Sequence, residues 1–216
     1  MQARSPPTPR RAEVAAREPA PLGIDVVFGL EGTSLPSDHA EALARSVAEW
    51  LPWLPEDPTA GIHPLKTAPT SQGMVLVARR ARLLLRVPGH RAEASLALAG
   101  HRLPVGAGLT TGRGTARALV PSSTLYAARV SSDAKEERAF EEEVARWLAR
   151  AEVRCKCIAG RARPLAIGGG MRSAFGLALH GLAPEDSLRI QSEGLGPHRH
   201  LGCGIFVPHK TIALSN

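Results

Sequence analysis

The pentapeptide Val47-Ala48-Glu49-Trp50-Leu51 returns about a hundred residues later as Val144-Ala145-Arg146-Trp147-Leu148, so two of the three tryptophans occupy the same slot. Each copy closes a stretch whose apolar residues recur at helical spacing. In the first, over residues 39–51, Leu43, Val47, Trp50 and Leu51 share a face that Leu54 extends; in the second, over 136–150, it is Phe140, Val144, Trp147 and Leu148, extended by Ala151. Asp38 with Glu41 three residues on has the spacing of a capping box. Pro52 and Pro55 stop the first helix, and Glu142 stands four residues before Arg146 on the second. A unit repeated once at this distance requires both halves to bury the same helix face against the same kind of partner.

The flanking segments supply that partner twice. Residues 24–28, 61–65, 74–87 and 101–105 carry β-branched or alternating apolar residues, the third of them with Arg79, Arg80, Arg82 and Arg86 in it, and residues 91–99 have helical spacing. In the second half the strands fall at 124–130, 153–158, 173–180 and 204–207, with a short helix over 184–191 that has proline in its first turn. The order is βαββαβ in both halves. The fold class expected is α+β, with two tandem ferredoxin-like (RRM-like) domains. Their bounds are expected at 23–106 and 122–216, with 107–121 as linker and 1–22 as a disordered basic extension.

A chain of 216 residues with 44% hydrophobic and 22% charged residues can bury a core of that size. No apolar run is long enough to span a membrane, and the N-terminus lacks the apolar stretch of a secretory signal. Three cysteines form no disulfide framework and have no metal-ligand spacing, which suits reduced thiols in the cytoplasm. The net charge of +7 points to an anionic partner, nucleic acid before membrane surface, although an arginine-rich proteome gives the same charge.

The segment Gly194-Leu195-Gly196-Pro197-His198-Arg199-His200-Leu201-Gly202-Cys203-Gly204-Ile205-Phe206 breaks any regular element and reads as an anion-holding loop. The other reading is a tight structural turn. Its spacing matches neither a P-loop nor a dinucleotide fingerprint. A second basic stretch holds Arg154, Lys156, Arg161, Arg163 and Arg172 around Gly160 and Gly168-Gly169-Gly170, as a phosphate-contacting hairpin or a solvated tip would. Arg113 and Arg117 are weaker candidates. Aromatic residues are 4% of the chain, so any RNA is held by phosphate contacts and shape rather than by base stacking. His39 opens the first helix, where a helix end attracts phosphate and a histidine can do acid–base work. An exposed polar residue at a helix start is the alternative. His63 is a second candidate, whereas His90, His101 and His180 read as structural. No GxSxG, HExxH or carboxylate constellation is present, so neither a metal nor another cofactor is expected.

The tail from Gly194 to Phe206, with Pro184-Glu185-Asp186-Ser187-Leu188 before it and Val207-Pro208-His209-Lys210 after it, resembles that of the CRISPR-associated repeat endoribonucleases of the Cas six family, in the RAMP superfamily. Gly29-Leu30-Glu31-Gly32, Leu35-Pro36-Ser37-Asp38-His39 and Gly61-Ile62-His63-Pro64-Leu65 look like the N-terminal portion of the MYXAN-type variant. The resemblance runs over about residues 24–212. It implies tandem ferredoxin-like domains and metal-independent cutting of precursor CRISPR RNA within its repeats. In that reaction the ribose 2′-OH attacks the adjacent phosphate, leaving a 2′,3′-cyclic phosphate and a 5′-OH. It implies His39 as the catalytic acid or base, with His63 next, and Lys66 or an arginine to stabilise developing charge; the one tyrosine, Tyr126, lies far from His39 in sequence, so no full family triad is assigned. It also implies that Arg154, Lys156, Arg161, Arg163, Gly194, Gly196, His198, Arg199, Gly202 and Gly204 hold the RNA. The partners implied are a CRISPR repeat hairpin, the mature crRNA and the other subunits of a type I effector complex. The competing readings are a non-catalytic guide-RNA-binding subunit and a small-molecule-binding regulator of the same fold.

Overall fold

The computed structural model describes residues 22–70 and 73–210; the expected extension, apart from Leu22, lies outside them. The first half runs β1 (Gly23–Glu31), β2 (Ser34–Pro36), α1 (Ala40–Ala48), β3 (Gly61–Ile62), β4 (Thr67–Pro69), β5 (Met74–Val77), β6 (Arg82–Pro88), α2 (Ala92–Ser95), β7 (Arg102–Leu103) and β8 (Leu109–Ala118). The second runs β9 (Thr124–Ser132), α3 (Glu137–Arg150), β10 (Lys156–Ala159), β11 (Arg163–Ile167), β12 (Gly170–His180), α4 (Pro184–Glu193) and β13 (Val207–Pro208).

Two antiparallel sheets carry the fold. The first has the order β3-β6-β1-β8-β7 and the second β10-β12-β9-β13, with β11 added to β12. Read as second, third, first and fourth strand of a βαββαβ unit, β3-β6-β1-β8 and β10-β12-β9-β13 are the same arrangement. This is the tandem ferredoxin-like architecture that the repeated order implies. A small third sheet, β2-β5-β4, is inserted into the first unit.

Each unit closes over its own core. On α1, Leu43, Ala44 and Val47 face the first sheet; on α3, Phe140, Val144 and Leu148 face the second. Each such side chain removed from water contributes on the order of 1.5–3 kcal/mol. In the repeated pentapeptide it is the valine and leucine that are buried: Val47 and Leu51 in one copy, Val144 and Leu148 in the other. The tryptophans sit at the rim. Trp50 is 42% exposed and stacks on His101, and Trp147 meets the ring of Phe140 edge-on.

Several expectations need correction. Residues 109–118 are no linker but strand β8, paired with β1 along most of its length, whereas only Arg102 and Leu103 of the expected fourth strand are extended. Of β8, only Leu109 and Thr111 are buried, so its sequence shows no alternation. The run 74–87 is two strands with a turn between them that leaves Arg79 and Arg80 in solvent. The N-cap of α1 is His39, not Asp38, and no side chain caps the helix; Glu142 pairs with Arg138 rather than Arg146. The basic loop 161–172 is itself largely strand, because β11 folds back on the first half of β12.

The units are joined by buried polar contacts. Arg86, 1% exposed, grips Asp25 with Nε and Nη2 at 2.8 and 3.1 Å and donates from Nη1 to the carbonyls of Gln191 and Phe206. The Gly23 amide donates to Ser192 Oγ at 2.9 Å. Strands β1 and β6 of the first unit are thereby fixed to α4 and to the residue that leads into the final strand of the second. Among the described residues no helix is long and apolar enough to cross a membrane.

Candidate active site

A cleft of about 640 Å³ opens between the two units. One wall comes from the start of α1, residues 37–40, with Pro64 and Leu65; the other comes from Ala128 and Arg129 of β9 and from the β11–β12 hairpin, including Arg163. At its floor lies a far smaller cavity bordered by His39, His63, Arg129, His200 and Gly202, among others. His39 and Arg129 border both spaces. The tip of the hairpin reaches across to the first unit, where the Gly168 amide donates to the Glu41 carboxylate on α1.

His39 is 8% exposed and held by one carbonyl. Pro36 O accepts from the His39 main-chain amide at 3.2 Å and from ring Nδ1 at 2.8 Å. A carbonyl can only accept, so Nδ1 carries the hydrogen, and Nε2 is left without a protein partner among the described residues. In the neutral ring that nitrogen is a base with its lone pair available. The loop from β2 into α1 thus fixes both the tautomer and the orientation of the ring.

His63 is built differently. It is 8% exposed, and its Nε2–H donates to Asp25 Oδ1 at 3.2 Å. Burial, aided by the nearby Arg86 charge, holds His63 below the ordinary histidine range against the pull of Asp25. Burial also acts to raise the Asp25 carboxyl, but the hydrogen bonds from His63 and Arg86 outweigh it and keep Asp25 well below the usual carboxylate range. His63 thus donates within a buried cluster with Asp25 and Arg86, and it borders the smaller cavity alongside His39.

The glycine-rich loop is a clasp rather than an open cradle. Arg199 is 4% exposed and spends its guanidinium on three carbonyls: Thr59 at 3.2 Å, Gly204 at 3.1 Å and Ser192 at 3.0 Å. Burial and the neighbouring Arg86 charge push it down to about 9, still protonated at neutral pH. It has no donor fork to offer RNA, against expectation. Several of the loop's amides are occupied as well: Leu201 and Cys203 donate to His198 O, Gly202 to Arg199 O, and Gly204 to Arg129 O. The glycines meet a packing demand. At Gly194, φ +70°, a Cβ would lie 1.7 Å from Arg199 Nη1; at Gly204, φ +64°, it would lie 2.2 Å from Leu195 O. Gly202 and Gly204 are buried, and Gly196 rests against Trp147 and Ser131. His198 and His200 are half-buried, and burial moves both below the ordinary histidine range.

The other expected RNA contacts, Arg154, Lys156, Arg161 and Arg163, are all exposed on the second unit. Arg163 alone of the four borders the cleft. Arg172 pairs with Asp133. Lys66 is exposed and does not line the cleft, and Tyr126 packs near His209 on the last strand pair. Two residues at the centre of the arrangement escaped the sequence reading. Arg129 and Asp25 are both charges inside otherwise apolar strand runs, and a charge in such a run was the available signal.

The comparisons with known proteins agree with this architecture. The family model described as Cas6 Crispr matches residues 24–211. The chain is 33% identical over 187 residues to a CRISPR-associated endonuclease Cas6 of Myxococcus xanthus, covering 86% of this chain and 81% of the relative. A solved structure of a CRISPR associated protein Cas6 superposes with a TM-score of 0.60 at 11% identity, covering 88% of this chain and 99% of that one. A Cas6-related protein from Pyrococcus furiosus superposes with a TM-score of 0.55 at 12% identity, covering 91% and 100%.

Proposed function

The chain belongs to the Cas6 family, and from that premise we propose that it is a metal-independent endoribonuclease that cuts precursor CRISPR RNA within its repeats. The observation that carries the reading is the cleft between the two units, where His39 faces a wall bearing Arg129 and Arg163. Among the described residues, Asp38 is the one carboxylate lining it.

In the reaction, the 2′ oxygen of the nucleotide before the cut attacks the adjacent phosphorus. A 2′-O–P bond forms and the P–O5′ bond breaks, leaving a 2′,3′-cyclic phosphate and, after the leaving oxygen takes a proton from water, a 5′-OH. Neutral His39 takes the 2′-OH proton on Nε2. Its Nδ1–H, held by Pro36, stabilises the imidazolium that results. The exposed cations Arg154, Lys156 and Arg161 carry the flanking RNA, and the product stays bound as the chain joins a type I effector complex.

Labelled RNA carrying the host array's repeat, incubated with purified protein in EDTA, tests the reading. A single cut that survives chelation, ending in a cyclic phosphate, is the expected result. His39→Ala should slow it by about 10²–10⁴-fold with RNA binding retained. A protein that binds the repeat with high affinity but never cuts it would instead be a guide-binding subunit.

A further inference from the structure

We propose that Arg129 is a second catalytic residue, contacting the scissile phosphate and stabilising the charge that builds on its non-bridging oxygens during attack. This rests on the reading of the cleft as the nuclease site.

Four observations converge on Arg129. Among the described residues, Arg129 is the one arginine or lysine of the cleft that also borders the smaller cavity beside His39. Its guanidinium has no carboxylate within ion-pair distance among the described residues, although the side chain is half-buried. A partly buried cation without a protein counter-charge is poised for an anionic ligand. Arg129 also sits in a β-bulge. The β9–β12 register passes from Val130 opposite Phe175 to Ala127 opposite Leu177, so Ala128 and Arg129 together face Gly176. A bulge of this kind re-aims a side chain out of the regular pleat, and such bulges concentrate beside active sites. Finally, the Gly204 amide donates to the Arg129 carbonyl at 2.7 Å. The glycine-rich loop therefore anchors the backbone of the bulge while leaving the side chain available. His39 comes from the first unit and Arg129 from the second, and the phosphate site is complete only when the two are packed together.

The chemistry matches the placement. Attack by the 2′ oxygen places added negative charge on the two non-bridging oxygens, and a guanidinium presents paired N–H donors to such a group. No proton leaves Arg129 and no bond to it forms. Removing one preorganised donor of this kind costs about 10²–10³ in rate.

The test is single-turnover cleavage of the repeat RNA at saturating protein by the wild type, H39A, R129A, R129Q and R129K. A 2′-deoxy version at the cut site, which cannot react, reports binding. Arg129→Ala and Arg129→Gln should slow cutting about 10²-fold or more, with affinity for the deoxy RNA falling less than about tenfold. Arg129→Lys should recover part of the rate. Sulfur in place of the contacted non-bridging oxygen should slow the wild type, and that effect should shrink in R129A. Thermal unfolding should be nearly unchanged, because what ties Arg129 to the loop is its main chain. If R129A and R129Q cut at the wild-type rate when saturated, or the sulfur effects are the same in R129A and wild type, Arg129 has no part in the chemistry and the inference fails. If H39A is inactive in that case, the nuclease reading itself survives. A wild type that does not cut would sink the reading beneath both. Should R129A unfold, R129K decides: a folded R129K with the wild-type sulfur effect also overturns the proposal.

Discussion

At the residue scale, what matters is where each polar group spends its hydrogen bonds. His39 and His63 are equally buried and both border the floor of the cleft. They differ in what holds the ring: a main-chain carbonyl accepts from His39 Nδ1, whereas the Asp25 carboxylate accepts from His63 Nε2. The sequence placed His39 correctly at a helix start, but nothing in it distinguishes a histidine held by a nearby carbonyl from one held by a carboxylate thirty-eight residues away. Arg199 gives the converse lesson. Flanked by glycines and histidines it reads as a ligand donor, yet its three carbonyl partners make it the keystone of the loop. Arg199→Lys should therefore behave almost like Arg199→Ala. A lysine cannot serve three carbonyls in a plane, and each buried carbonyl left unmet costs about 1–3 kcal/mol. Urea unfolding should show a loss of at least about 3 kcal/mol for both variants. A Lys variant as stable as the wild type would mean that the fork is not needed.

At the element scale, the strongly periodic pieces were legible and the weakly periodic ones were not. Helices α1 and α3, and the order of the main strands, follow from apolar spacing because each buries one face on a sheet. Strand β8 does not advertise itself, since it buries only Leu109 and Thr111 and holds its place by pairing with β1. The glycine-rich loop was visible as a break, but its purpose was not, because close packing and ligand approach demand glycine alike. The two purposes predict different failures. Gly204→Ala should destabilise the fold, because αL backbone costs a side chain about 1–2 kcal/mol before the overlap with Leu195 O is counted. If the loop were chiefly an RNA cradle, Gly204→Ala would fold normally and bind RNA poorly. The cap of α1 offers a milder check. Asp38 makes no capping hydrogen bond, so Asp38→Ala should change stability by less than about 0.5 kcal/mol.

At the scale of the whole molecule, the joint between the units is polar and buried, and this makes it sensitive to acid. Asp25 and Arg86 lie on the neighbouring strands β1 and β6 of the first sheet, His63 directly follows β3 beside them, and Arg86 reaches Gln191 O and Phe206 O of the second unit. Folding lowers the pKa of His63. As pH falls below the unfolded value of about 6.5, the unfolded chain takes up a proton that the folded chain refuses, and stability declines until the folded pKa is passed. The lowered Asp25 acts in the same direction at lower pH: it stabilises the fold above the ordinary carboxylate range, and that contribution is lost as pH falls toward its folded pKa. His198 and His200 share the sign of His63, but they are only half-buried and water screens them more. Each such group adds a slope of at most about 1.4 kcal/mol per pH unit. The urea midpoint of the wild type should therefore fall steadily from pH 7 to pH 5. In His63→Gln, which keeps a donor for Asp25 but cannot titrate, the curve should be lower at pH 7 and visibly flatter between pH 7 and 5. Below pH 5 the loss of the Asp25 contribution adds to the decline of both curves. A His63→Gln curve as steep as the wild type between pH 7 and 5 would place the acid sensitivity elsewhere, in the loop histidines rather than at the joint.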